Sequence, residues 1–259
     1  MKEESMKFLK SNLTKIIIAS LIFPIVMVIL ALLIRNQKVD ELWQIISDVL
    51  VFVVAFLLNQ KYLKQKMFWF NSRNLGTQLY TALPAIIIIF MLNSAVLGVS
   101  DFKVKLRIVV LCLLVGLAEE YIFRGILVSL FLKLLHNNAF GAVIGSSIMF
   151  GLIHLMNLKS LPIGYVSGQV IFAAAVGLLF GTIYVKTRNL SIVILLHAFR
   201  DMFPMFSDKL VAESAQMKFS IDSLYVIGVL FLIALFISYR QLKDFQVSKQ
   251  DEVWSISER

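Results

Sequence analysis

The sequence lacks most of what stabilises a small secreted or soluble domain. It has one cysteine, Cys112, in 259 residues, so no disulfide can form within the chain. Set in an apolar run, that thiol reads as a small buried hydrophobe. Charged residues make up only 16% of the chain, and there are three histidines. No internal repeat, low-complexity tract or separate soluble domain is visible, which excludes solenoid and linker-array architectures. The basic start, MKEESMKFLKSNLTK, precedes an apolar run at 16–34 with no clear small-residue cleavage site. That run exceeds the roughly 7–15 apolar residues of a signal peptide and reads as a retained first helix containing Pro24.

What the sequence has in excess is apolar surface. Hydrophobic residues make up 59% of it and the mean hydropathy is +0.85, against about 45–50% apolar residues in soluble domains. The excess falls in blocks that match the roughly 17–25 residues needed to cross a bilayer. Eight spans are expected, near 16–34, 42–58, 79–98, 106–133, 139–157, 168–186, 190–206 and 224–239. The expected fold is all-α: a polytopic transmembrane bundle, one membrane-embedded domain over 1–259. The fourth block is too long for one straight crossing and must tilt or project.

The net charge of +9 and isoelectric point near 9.6 could suggest a nucleic-acid partner. The charges flank apolar blocks instead, which points to a membrane and not to nucleic acid. With the N-terminus inside, the inner segments hold Lys2, Lys7, Lys10, Lys15, Lys61, Lys64, Lys66, Arg73, Lys133, Lys186, Arg188, Arg240, Lys243, Lys249 and Arg259. The outer segments hold the smaller set Arg35, Lys38, Lys103, Lys105, Arg107, Lys159, Lys209 and Lys218. The expected placement is therefore a multi-pass protein of the cell membrane with both termini cytoplasmic. The basic and aromatic stretch QKMFWFNSRN (65–74) is expected at the cytoplasmic interface.

Ionisable residues inside spans cost about 2.5–3.5 kcal/mol each on insertion scales and mark functional sites. The fourth span carries Glu119, Glu120 and Arg124, the fifth His154, and the seventh His197, Arg200 and Asp201. Glu120 and Arg124 are four apart and can pair on one helix face, while Glu119 points about 100° away. His197 and Asp201 repeat that spacing, so Asp201 can orient the imidazole or share a centre with it. Phe150 and His154 repeat it again, with Asn157 three residues on. A carboxylate and two imidazoles on three helices suit water activation, with Glu119 as general base and His154 helping to hold the water. His197 and Asp201 would stabilise an oxyanion or bind a metal. The plainer reading is a charge cluster that locks helices together.

Three motifs stand in order on the fourth, fifth and seventh spans: EEYIFR (119–124), FGLIH (150–154) and HAFRD (197–201). Together they resemble the CAAX prenyl protease and bacteriocin-processing family, also called Abi or CPBP, over about residues 106–206. The resemblance implies an intramembrane endopeptidase with its active site in the membrane core. Glu119 matches the activating glutamate, Glu120 its motif partner, Arg124 the motif arginine and His154 the water-activating histidine. His197 and Asp201 match the oxyanion or metal-binding pair. The prenyl-endopeptidase branch has Asn where this chain has Asp201. An ionised Asp only accepts hydrogen bonds, so it suits orienting His197 or binding a metal better than donating to an oxyanion. If a metal is bound, the implied ion is zinc on Glu119, His154 and His197, with a fourth position open; the same glutamate could not easily be both ligand and base.

The function expected on these grounds is cleavage of a small membrane-proximal peptide or protein, as in peptide maturation or bacteriocin self-immunity. A second reading is a non-enzymatic scaffold that binds such a peptide. A third is a transporter with Glu119 and Glu120 in a proton relay, against which stands the absence of a duplicated half.

Overall fold

The computed structural model describes residues 2–33, 41–92, 102–205, 221–245 and 247. Every regular element among them is a helix. This follows from the apolar runs, because in a bilayer only intrahelical bonding satisfies backbone N–H and C=O groups within a single segment. The elements are α1 (Lys2–Leu33), α2 (Glu41–Leu58), α3 (Leu75–Leu92), α4 (Phe102–Glu120), α5 (Val128–Leu134), α6 (Ala139–Ile153), α7 (Ile163–Thr187), α8 (Leu190–Met205) and α9 (Ile221–Leu242). A π-helical segment, Tyr121–Leu127, joins α4 to α5 without a break, so the described helices form eight continuous rods, each overlapping one of the eight expected spans. Five rods are long and apolar enough to cross a membrane on length and composition. The α4–α5 rod carries its motif charges mid-length, and α8 is only 16 residues long. The far ends of the first, third and seventh expected spans, and Arg35, Lys38, Lys209, Lys218, Lys249 and Arg259 of the charge count, lie outside the described residues.

The α4–α5 rod forms the centre. Every residue from Ala118 to Leu130 is buried, including Arg124 at 1% exposure. By contrast, Ile17, Leu21, Ile25, Val28, Leu32 and Leu33 on α1 and Tyr225, Val226, Leu232 and Phe236 on α9 are exposed. Apolar exposure on that scale suits a surface that meets lipid. Between centre and rim, α6 packs closely along α7, α8 lies along α4, and α9 covers another side of α7.

Small residues permit the closest approach, as in membrane helix pairs generally. A Cβ on Gly151 of α6 would stand 2.8 Å from the Val170 carbonyl oxygen of α7, and one on Gly177 would stand 3.1 Å from the Ser147 Cα. The α6–α7 distance is therefore set by backbone meeting backbone, which no side-chain rotation can relieve.

The stretch 65–74 is a strap. Asn59 receives the Gln65 N–H on Oδ1 at 2.8 Å and donates to the Gln65 carbonyl at 2.9 Å, turning the chain back after α2. The strap then crosses the α7–α8 corner. The Phe68 and Trp69 carbonyls accept the Leu190 and Ser191 N–H groups at 2.9 and 3.0 Å. These are N–H groups of the first turn of α8, which have no partner within the helix. Trp69 stacks on Tyr121 at a centroid distance of 5.5 Å, so the strap ties the start of α8 to the π-helical segment.

Gly151 stands three residues before His154, so its contact positions that histidine as well as the helices. Gly151→Ala is expected to lower stability by about 1–3 kcal/mol and to reduce activity. Thermal unfolding in detergent, measured beside turnover, checks both.

Candidate active site

The sequence reading assumed a regular helix through EEYIFR. Instead, α4 ends at Glu120 and the next seven residues wind as a π-helix, a form that occurs frequently at functional sites. Glu119 and Glu120 stand at the junction. Glu120 and Arg124 still pair: an Arg124 guanidinium N–H donates to Glu120 Oε1 at 2.8 Å, with both side chains at or below 1% exposure. The guanidinium lies over the Phe150 ring at 4.3 Å and near Phe180 at 5.6 Å. A buried cation is tolerated here because a carboxylate and two ring faces replace its water.

The same Glu120 oxygen also holds His197. Its distance to His197 Nδ1 is 2.6 Å, a partner that spacing alone did not reveal. The expected i, i+4 partner is present too, with His197 Nε2 3.2 Å from Asp201 Oδ2. Nε2 also lies 3.5 Å from Glu119 Oε2. With carboxylates beside both nitrogens, the ring is arranged to donate from both. The Nδ1 bond is short and the Nε2 bond is long and shared, so the Nε2–H is the one available to another acceptor. Asp201 in turn pairs with Arg200, whose guanidinium lies over Phe172 at 4.8 Å.

His154 sits where α6 tightens into a 3₁₀ turn, His154–Lys159. Its backbone N–H bonds to the Gly151 carbonyl, three residues back, as the helix tightens. The imidazole Nδ1 lies 2.9 Å from Phe150 O. A carbonyl only accepts, so Nδ1 carries the proton and Nε2 keeps its lone pair. The Phe150 ring packs edge-on against both imidazoles, at 5.3 Å from His154 and 5.9 Å from His197. Asn157, on the same turn, donates to Gln169 Oε1 of α7 at 2.8 Å.

Glu119, His154, His197 and Asp201 share the wall of one cavity of about 300 Å³. Arg200, Asn157, Gln169, Lys159 and Gln44 complete its polar lining, with Phe23, Met27, Phe150 and Phe172 among the apolar part. Glu120 and Arg124 stand behind this wall. The third histidine, His136, lies in the α5–α6 turn, exposed and at φ 52°.

The zinc set Glu119, His154 and His197 does not fit a metal as these side chains stand. Each nitrogen of His197 stands beside a carboxylate, Nδ1 at Glu120 and Nε2 at Asp201, so neither faces an open position for an ion. Among the described residues no group of three or more His, Cys, Asp or Glu side chains is placed to hold one.

Two residues were missed from sequence. Gln44 of α2 also lines the cavity, and its amide donates to Asp48 Oδ2 at 3.0 Å. Asp48 is 1% exposed. The signal was available, because Asp48 is a carboxylate inside the second expected span with an amide four residues before it.

Residues 101–203 match the family described as type II CAAX prenyl endopeptidase Rce1-like. The match spans all three motifs and every residue of the Glu119–Asp201 cluster, in agreement with the resemblance read from them. No curated protein matches the chain. The matched segment is thus similar to a CAAX-type membrane protease family, and the apolar rods around it suit a multi-pass membrane protein.

Removing Arg124 leaves a buried carboxylate without its cation. Arg124→Met is expected to cost about 3–5 kcal/mol, seen as a lowered unfolding midpoint in detergent. Adding Glu120→Gln should recover part of that loss by removing the stranded charge.

Proposed function

We propose that this protein is an intramembrane endopeptidase that cleaves a membrane-proximal peptide or protein with water activated by Glu119 and His154. The observation that carries this reading is the convergence of Glu119, His154, His197 and Asp201, from three separate rods, on one cavity. Glu119 takes the proton of the attacking water. His154 Nε2, held open by the Nδ1–H bond to Phe150, accepts a second hydrogen bond from that water and orients it. The His197 Nε2–H turns from its long contacts with Asp201 and Glu119 to the oxyanion that forms on the scissile carbonyl. Asp201, an acceptor, holds His197 in place. Glu119 then returns its proton to the departing amine.

The family match supports a peptidase over a proton-relay transporter or a passive scaffold. The whole chain serves as one membrane-embedded domain, with 106–206 as its motif core. The excess of inner Lys and Arg supports a cell-membrane location with both termini cytoplasmic. Substrates of this class include prenylated C-terminal tails and short peptides undergoing maturation; self-immunity through cleavage of a bacteriocin-like peptide is a further role that fits.

The test is turnover by the purified full chain of an internally quenched, farnesylated peptide in mixed micelles. Glu119→Gln is expected to lower kcat by about 10²–10⁴ with the unfolding midpoint retained. A wild-type chain that binds the peptide without cutting it would support the scaffold reading instead.

Asp201→Asn separates the roles open to that residue. An orienting acceptor predicts a loss of at least about tenfold in kcat, by analogy with loss of the orienting carboxylate in a serine-protease triad, and no recovery with added zinc. Unchanged or higher turnover would make position 201 an oxyanion donor, and zinc-dependent recovery would make it a ligand.

A further inference from the structure

Asp48 is the carboxylate that the catalytic scheme leaves unexplained. Glu119, Glu120 and Asp201 each face a histidine or an arginine. Asp48 is equally buried, yet among the described residues its hydrogen-bond partner is a neutral amide, that of Gln44, and no cation pairs with it. A carboxylate buried in this way is costly, and packing of α2 against α4 does not require one.

Gln44 is the part of this pair that reaches the cavity. Its amide has two N–H groups and a carbonyl oxygen. One N–H is committed to Asp48, which fixes the rotation and sets the O/N orientation of the group. What remains for the cavity is one donor and one acceptor side by side. A residue in an extended peptide offers the complementary pair, because its own N–H and C=O point to the same side of the strand, so the group reads the main chain and is indifferent to side chains. It does so from α2, a different wall from the α4 and α8 residues that carry the chemistry.

We propose that Gln44 binds the main chain of the substrate peptide and that Asp48 is a positioning residue acting through it. This inference rests on the peptidase reading above. The distinction from a structural role is that the pair should govern peptide affinity and leave the chemical step nearly unchanged.

The experiment uses the full-length chain and the same quenched, farnesylated peptide, and reads two quantities. Turnover gives KM and kcat; fluorescence anisotropy of the labelled, unquenched peptide on the Glu119→Gln background gives binding without cleavage. Gln44→Met, similar in shape, should raise KM and weaken binding about tenfold, the equivalent of one or two hydrogen bonds, with kcat within about threefold. Asp48→Leu should do the same, and the double variant should be no worse than either, because both remove one contact. Asp48→Asn keeps an acceptor oxygen and should restore most of the affinity. Unfolding midpoints identify any variant that fails to fold, and in that case the Asp48→Asn and Asp48→Leu comparison decides alone. Unchanged affinity in Gln44→Met, or additive losses in the double variant, would overturn the inference while the peptidase reading stands. Binding that depends on Gln44 in a wild-type chain that never cleaves would do the reverse. A chain that neither binds nor cleaves the peptide overturns both.

Discussion

One carboxylate oxygen organises this protein. Glu120 Oε1 accepts from Arg124 on its own rod and stands 2.6 Å from His197 Nδ1 on α8. In water each contact would be worth little. Between helices, with both partners almost fully buried, neither charge is tolerable without the other. The price of breaking the cluster therefore holds α4, the π-helical segment and α8 in one register, and the cavity wall follows from that register.

Around this anchor the backbone departs from regular α-helix at two points of the site. The π-helical segment begins immediately after Glu120. The 3₁₀ turn begins at His154, whose imidazole Nδ1 reaches back to the Phe150 carbonyl. The π-helical segment sits deep in the packed interior, where neighbouring groups can satisfy what the helix leaves open, whereas none of the residues of the 3₁₀ turn is fully buried. The aromatic rings of Phe150 and Phe180 serve the anchor and the chemistry together. They cover Arg124 on one side and wall the imidazoles on the other.

The cavity divides labour between its walls. Its carboxylates and imidazoles come from α4, from the turn that ends α6 and from α8. Amide groups that can meet a peptide backbone, Gln44 and the Asn157–Gln169 pair, come from α2 and from the α6–α7 side. The strap at 65–74 closes the α7–α8 corner and stacks on Tyr121, so the element expected to rest on the membrane surface also braces the centre.

Much of this was legible without coordinates. Eight apolar blocks dictate eight helical rods, because a bilayer leaves the backbone no other local way to bond. The ordered trio of motifs placed polar groups in three of them. Spacing four apart was enough to pair Glu120 with Arg124 and His197 with Asp201, since such pairs lie on one helix face wherever the helix packs. Other features needed the tertiary structure. Which of the two glutamates meets His197 Nδ1 depends on how α4 and α8 rotate against each other, and periodicity along one helix contains nothing about that rotation. The π-helical and 3₁₀ departures are set by contacts with α6, α7 and the strap, not by propensity. Gln44 and Asp48 had the right spacing to be noticed, but only the packing of α2 on α4 makes their face a wall of the cavity. Periodicity is local and belongs to the sequence. The relative placement of rods is a property of packing, and it alone turned scattered intramembrane charges into a single site.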